Sequence, residues 1–290
     1  MKKYLLISVL FLSSSWLGFA QEIGHKDIML GHFVVVPKTI VDYSQINFFY
    51  LLEYYKDPVS HKKKIEAQTF LQIGESGRCF RDYYAFLFDS INDVAASLKE
   101  ENKMKQTTAL MNIAKKVKYN HTLVWGHHKD MILRQRSVVL NEIYQYEDSI
   151  PSLQWQLLDK DTVILDHPCH QASCEYRGRT YRAWYADDVD LPYGPYVFEG
   201  LPGLIFQIED MQKHYCFKLN GINHVSHKQP IYFNTSDKVV PTTRERVRKI
   251  YKQYCEHPLH SIVQSNPAIK IPQSALMNEK SKPYNPIELK

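Results

Sequence analysis

The chain has 290 residues, 44% of them hydrophobic and 23% charged, with a formal net charge of +5. This apolar content supports an ordinary core in one domain or two small ones, and it excludes collagen-like and wholly disordered chains. The positive excess does not point to nucleic acid, because 36 Lys and Arg are spread among 31 Asp and Glu; the basic runs Lys62 to Lys64 and Arg244 to Lys249 read as solvated faces.

The chain opens MKKYLLISVLFLSSSWLGFA: basic Lys2 and Lys3, an apolar stretch from Leu5 to Leu12, then small Gly18 and Ala20. That is the pattern of a secretory signal, with cleavage expected after Ala20. Ser13, Ser14 and Ser15 interrupt an apolar run already shorter than the ~20 residues that span a bilayer. No later segment approaches that length, so the expected product is an exported protein that does not itself span the membrane. No cysteine immediately follows Ala20, against a lipid anchor. Cys79, Cys169, Cys174, Cys216 and Cys255 all follow the leader, and their odd number leaves at least one unpaired in a monomer. On one extended strand Cys169 and Cys174 would stand roughly 16 Å apart, beyond the ~7 Å that a bridge tolerates.

From Ile28 the sequence alternates in the manner of strands, IMLGHFVVV, INFFYLLEYY and IEAQTFLQI, each bounded by polar turns. Asn92 to Lys118, rich in Ala, Leu, Met, Lys and Glu and free of Gly and Pro, predicts a helix. Strand character returns at HTLVWGHH and MILRQRSVVL and continues from Leu153 to Ala186, with a hairpin tip at Arg177 and Gly178. HYCFKL predicts a further strand, with Cys216 on the face opposite Tyr215 and Phe217. Thr242 and Glu245 have capping-box spacing, and Val247, Ile250, Tyr251 and Tyr254 then form one stripe that should dock on the sheet. The closely spaced Pro267, Pro272, Pro283 and Pro286 predict a tail over residues 261 to 290, disordered by its composition. The expected organisation is therefore a signal peptide over 1–20, one β-rich domain over 21–260 and that tail. The expected fold is α+β, mainly antiparallel, a curved sheet backed by one or two helices.

The segment GPYVFEGLPGLIFQIED, residues 194 to 210, crowds Gly194, Pro195, Gly200, Pro202 and Gly203 ahead of an apolar run. Pro202 fixes φ, and Gly203 is placed to supply the positive φ at the third position of a type II turn. A phosphate loop does not fit, since no Lys-Ser/Thr pair follows and the next element reads as a strand. The run Leu204 to Ile208 predicts a strand covered on both faces, or one with a face lining a cavity; plain core is the more ordinary role for aromatic strands.

The motif GLPGLI at 200 to 205 is the signature of the GLPGLI family of exported Bacteroidota proteins, which this chain resembles over roughly residues 25 to 230. The likeness extends to Leu153-Gln154-Trp155, Cys169 with Ala172, Gly178-Arg179 followed by Tyr181 and Ala183-Trp184-Tyr185, Gly194-Pro195 and, more loosely, LQIGESGRCF. Asp166, where the family usually has glycine, and Asp190, where proline is common, depart from it. The resemblance implies an envelope protein, periplasmic or associated with the outer membrane, rich in antiparallel sheet that forms a curved sheet or open half-barrel, and no established activity. A ligand-binding surface is expected around Trp184, Tyr185, Asp188, Gly194, Pro195, Gly200, Pro202 and Gly203, for an apolar ligand, peptide or outer-membrane partner.

Chemistry has fewer footholds. His167, Cys169, His214 and Cys216 offer zinc or copper ligands if the fold gathers them, but no HExxH or paired CxxC spacing is present, and a buried thiol flanked by exposed imidazoles is the plainer reading. Cys169 or Cys174 as a nucleophile would need a basic partner such as His167 oriented by Asp188. His127 and His128 have less company. Asp187, Asp188 and Asp190 lack the glycine and terminal glutamate of an EF-hand and read as an acidic turn. No cofactor is expected. The leading expectation is a non-enzymatic envelope binding protein; a thiol or metal enzyme centred on Cys169, and an assembly partner without a small ligand, are the alternatives.

Overall fold

A computed structural model describes residues 33–126, 132–140, 142–235 and 239–290. The expected leader, residues 28–32 of the first expected strand and the His127-His128 pair lie outside the described residues.

The described strands are β1 (Lys38–Tyr55), β2 (Lys64–Ile73), β3 (Arg78–Asp82), β4 (His121–Trp125), β5 (Ile132–Val139), β6 (Glu142–Ser149), β7 (Gln156–Ile164), β8 (His167–Tyr176), β9 (Arg179–Ala186), β10 (Leu204–Asp210), β11 (Tyr215–Asn234) and β12 (Val239–Pro241). The helices are α1 (Tyr83–Ser97), α2 (Glu100–Ala114), α3 (Arg244–Glu256), α4 (Pro258–Ser265) and α5 (Gln273–Met277). All the strands join one sheet in the order β12-β6-β5-β4-β3-β2-β1-β11-β10-β9-β8-β7. Two antiparallel meanders, β1 to β6 and β7 to β11, are thus sewn together where β1 pairs β11, and the order runs from β12 to β7 without closing into a barrel.

Alternation explains how this sheet makes a core. Phe48, Tyr50 and Leu52 of β1, Phe80 of β3, Leu123 and Trp125 of β4, and Leu204, Phe206 and Ile208 of β10 all point into one buried cluster. Strands at opposite ends of the order share that cluster, so the sheet must curl. The register of β1 against β11 shifts at Ile40/Asp42, Ser44/Ile46 and Phe49/Tyr50, and such bulges bend a strand and increase its twist. The Tyr50 hydroxyl donates to the carbonyl of Ile205 across the interior at 2.8 Å. Phe49, Phe70 and Tyr232 turn the other way and meet Phe86 of α1. The expected α+β, mainly antiparallel open sheet is therefore observed.

Asp82 anchors the link from sheet to helix. One carboxylate oxygen accepts from the N–H groups of Tyr84 and Ala85, capping α1, and the other from those of Lys118 and Tyr119, where the chain leaves the helices for β4. The helix expected from Asn92 to Lys118 is in fact two, and begins earlier, at Tyr83. Residues 33–37 form no strand, so the described end of the first expected strand is not one, whereas β1 contains all of the second, INFFYLLEYY, and begins before it, at Lys38. The expected Thr242 cap is Thr243 instead, which accepts from the N–H of Arg246, while the N–H of Thr242 extends the β6 pairing to the Gln145 carbonyl. The α3 stripe docks as expected: Val247 is buried against Val139 and Tyr146, with Ile250, Tyr251 and Tyr254 beside it.

Residues 261 to 290 require a correction. They carry the end of α4 and all of α5, and Asn285, Ile287 and Glu288 are buried. The reason is polar. The Arg179 guanidinium donates to the side chain of Asn285 and to the carbonyls of Pro286 and Ile287, and Tyr215 donates to the carbonyl of Asn285 at 2.5 Å. A segment poor in apolar residues is ordered by donors waiting for it.

Candidate functional site

A cavity of about 400 Å³ lies between α3, the ends of β1 and β4, the β5–β6 hairpin and the C-terminal segment. Seven tyrosines line it. Tyr54 and Tyr215 stack at 5.6 Å between ring centroids, and Tyr251 and Tyr254 come from the α3 stripe. Glu288 forms the wall where the chain returns. Its carboxylate accepts from Tyr196 at 2.6 Å and Tyr176 at 2.9 Å, and pairs with Arg177 and Arg244, which satisfies a charge that burial would otherwise penalise.

Two polar features mark this cavity. The buried hydroxyl of Tyr119 has no hydrogen-bond partner, a deficit of about 1–3 kcal/mol that a guest or water could recover. Lys56, Lys118 and Lys282 meet on the lining. Burial, with Lys282, Lys63 and Lys118 close by, lowers the ammonium pKa of Lys56, and burial lowers that of Lys118. Mutually repelling cations beside aromatic faces favour an anionic group arriving from outside.

His121, also on the lining and half-buried, is pushed down to about 4 by burial, with Glu288 acting in the opposite direction. Its neutral form is therefore favoured by folding. The associated stability is complete above the ordinary value of 6.5 and is lost as pH falls from there toward 4, by up to about 3 kcal/mol. Asp82, raised to about 6 by burial against its four N–H donors, acts with the opposite sign. The diagnostic quantity is thus the difference between wild type and His121→Gln in urea melts: wild type should lose stability relative to the variant between pH 7 and pH 4, and parallel profiles would refute the assignment.

None of the eight residues expected to bind ligand lines the cavity. Gly194, Pro195 and Gly203 are buried in packing, Gly200 and Pro202 are exposed on the turn, and Tyr185 is buried while Trp184 packs at the core edge. Asp188 accepts from, or pairs with, His167 Nδ1 at 2.8 Å near the surface. The turn itself differs from expectation. The positive φ belongs to Gly200, at 92°, and Gly203 is required for a different reason: a Cβ there would lie 2.0 Å from the carbonyl oxygen of Ala186. Other parts of the motif series converge on this turn as architecture. Trp155 Nε1 donates to the Glu199 carbonyl at 2.9 Å, and Arg78 pairs with the Glu199 carboxylate at 2.7 Å while lying over the rings of Tyr193 and Trp125. Asp166 sits at φ 66° in the β7–β8 turn, the left-handed region that glycine, and to a lesser degree aspartate, tolerates.

The expected metal set does not assemble. Cys216 lies in register with Glu209, Arg182 and Ser173 across β10, β9 and β8, six residues along β8 from His167; His214 turns instead to Arg179 and His61. All five cysteines are free and buried. Burial pushes the thiol of Cys169 up to about 11 and that of Cys216 to about 12, and Cys169 donates to the His167 carbonyl, not to its ring. A protonated thiol without a base is a poor nucleophile. Among the described residues, the three metal-ligand side chains that do converge are His257, His260 and Glu279.

The cavity was hard to foresee because its tyrosines come from six separated parts of the chain; the α3 stripe was the available signal. No family model matches the chain, and no curated protein does so either. Two solved structures of PNGF-II, in the P21 and C2 space groups, are similar to it at 11% and 12% identity, with TM-scores of 0.45 and 0.42. The matches cover 72% and 70% of this chain and 33% and 32% of those chains, so it spans about a third of their length. No helix among the described residues is long and apolar enough to cross a membrane.

Proposed function

We propose that the chain is an exported, non-enzymatic binding protein of the cell envelope, related to the GLPGLI proteins that it resembles, and that the tyrosine-lined cavity receives its ligand. The single observation carrying this reading is the cavity. It has a size suited to a small molecule, an aromatic lining for an apolar or ring-containing body, a partnerless phenol at Tyr119 and a group of lysines. The fitting guest is a small amphipathic anion, its apolar part against the tyrosines and its charge at Lys56, Lys118 and Lys282. The unreactive surroundings of Cys169 favour binding over thiol chemistry.

Native mass spectrometry of the protein purified from its own envelope should find one small anionic ligand per chain. Lys56→Glu together with Lys118→Glu should abolish the adduct, by charge reversal at the lining, while the far-ultraviolet circular dichroism is unchanged. A chain that emerges ligand-free, or the same adduct on the charge-reversed variant, would sink the reading; specific capture of another envelope protein without any small ligand would favour an assembly role instead.

A further inference from the structure

We propose that His257, His260 and Glu279 form a binding site for one zinc-class divalent cation, which fastens the C-terminal segment to α4. The potential ligand atoms of the three residues all lie within 4.8 Å of one another. Both imidazoles turn the same nitrogen, Nδ1, toward the same oxygen, Oε1 of Glu279: that of His257 at 3.3 Å, and that of His260 in a short hydrogen bond. The other oxygen, Oε2, is already held by the N–H of Leu259 at 2.9 Å. The carboxylate is thereby oriented, with one oxygen left facing two nitrogens.

Backbone geometry holds the ligands in place. His257 is at once the last cap of α3 and the first of α4, and Pro258 opens α4 with its φ fixed. His260 follows three residues later, on the same side of the first turn. Glu279 arrives just after α5, its side chain 8% exposed while the two rings are 63% and 57% exposed. The rings can therefore exchange a proton for a metal at little desolvation cost: in the metal-free state Nδ1–H donates to Glu279, and on binding each neutral ring carries its proton on Nε2 instead.

Two imidazoles and one carboxylate are borderline ligands that suit zinc and its neighbours over calcium or magnesium. With metal–ligand bonds of about 2.0–2.2 Å, tetrahedral edges come to about 3.3–3.6 Å, so the His257 separation of 3.3 Å already fits and the short His260 pair must open to admit the ion. Three protein ligands leave a coordination position for water. The cation would also act on the cavity wall, because beyond Glu279 the N–H of Lys282 donates to the Cys255 carbonyl and residues 285 to 288 are buried.

The test uses tag-free full-length mature protein stripped with EDTA. Calorimetry with zinc chloride should give one site per chain, cobalt(II) should develop the ligand-field absorption of a low-coordinate centre, and zinc should slow proteolysis after residue 279. Glu279→Gln, which keeps an acceptor for Leu259, and His260→Asn should each weaken zinc binding at least tenfold while circular dichroism is unchanged; His167→Asn, in a separate histidine–carboxylate pair, should not. Should the wild type bind no stoichiometric zinc or cobalt, or should Glu279→Gln and His260→Asn bind as tightly as wild type, the cluster is a hydrogen-bonded clasp only and the proposal fails.

Discussion

Arg179→Met is expected to cost about 3–5 kcal/mol of folding stability, because it removes one partner of an ion pair with no contact to water. The side chains of Arg179 and Asp210 are 1% and 0% exposed, and their atoms meet at 2.9 Å. With the guanidinium gone, the Asp210 carboxylate keeps the N–H of Tyr215 as a donor but loses its counter-charge. The same change strips the Pro286 carbonyl and the side-chain oxygen of Asn285 of this donor and leaves the Ile287 carbonyl to the Tyr181 hydroxyl at 3.2 Å, so the cavity wall loses most of its anchor. Urea melts should register the stability loss, and hydrogen exchange at residues 285 to 290 should rise in the folded variant. The double variant Arg179→Met with Asp210→Leu should recover part of the stability by removing the stranded charge, yet leave exchange at the C-terminal segment high. A single variant melting within about 1 kcal/mol of wild type would show that the pair is not what secures that segment.

This dependence on one arginine explains why the end of the chain was illegible in the sequence. Residues 283 to 288, PYNPIE, look like a tail by composition, and their order comes from Arg179, Tyr215, Tyr176 and Tyr196, each far away in sequence. The hairpins were legible because alternation and turn chemistry are local: Arg177 and Gly178 take φ of 44° and 86° at the expected tip. α1 was hidden for a mixed reason. Tyr83, Tyr84, Phe86 and Phe88 have strand-like composition, and the Asp82 that starts the helix also accepts from Lys118 and Tyr119 across the fold. The residues of the motif series build the sheet and its turn, while the cavity draws on tyrosines that no local pattern connects. The two are joined physically through Tyr196, which follows Gly194-Pro195 and donates to Glu288 on the cavity wall.

Gly203→Ala should be far more damaging than Gly200→Ala, although both remove a glycine from the same six-residue signature. At Gly200 the nearest atom to an added Cβ is Trp155 Nε1 at 4.0 Å, so the cost is only that of holding alanine at φ 92°, about 1–2 kcal/mol. At Gly203 the added carbon would meet Ala186 O at 2.0 Å, Ala186 C at 2.6 Å and Asp187 Cα at 2.7 Å, all of them backbone. No rotamer change relieves such a contact; β9 and β10 must part just where Leu204 pairs Ala186. The expected loss is on the order of 4–5 kcal/mol, in the range reserved for severe core disruption, against which the gain in helix or strand propensity from alanine is negligible. Comparing urea midpoints of the two variants decides the matter. If Gly203→Ala were no worse than Gly200→Ala, close backbone approach would not be why glycine stands there, and the signature would have to be explained by contacts outside the folded chain.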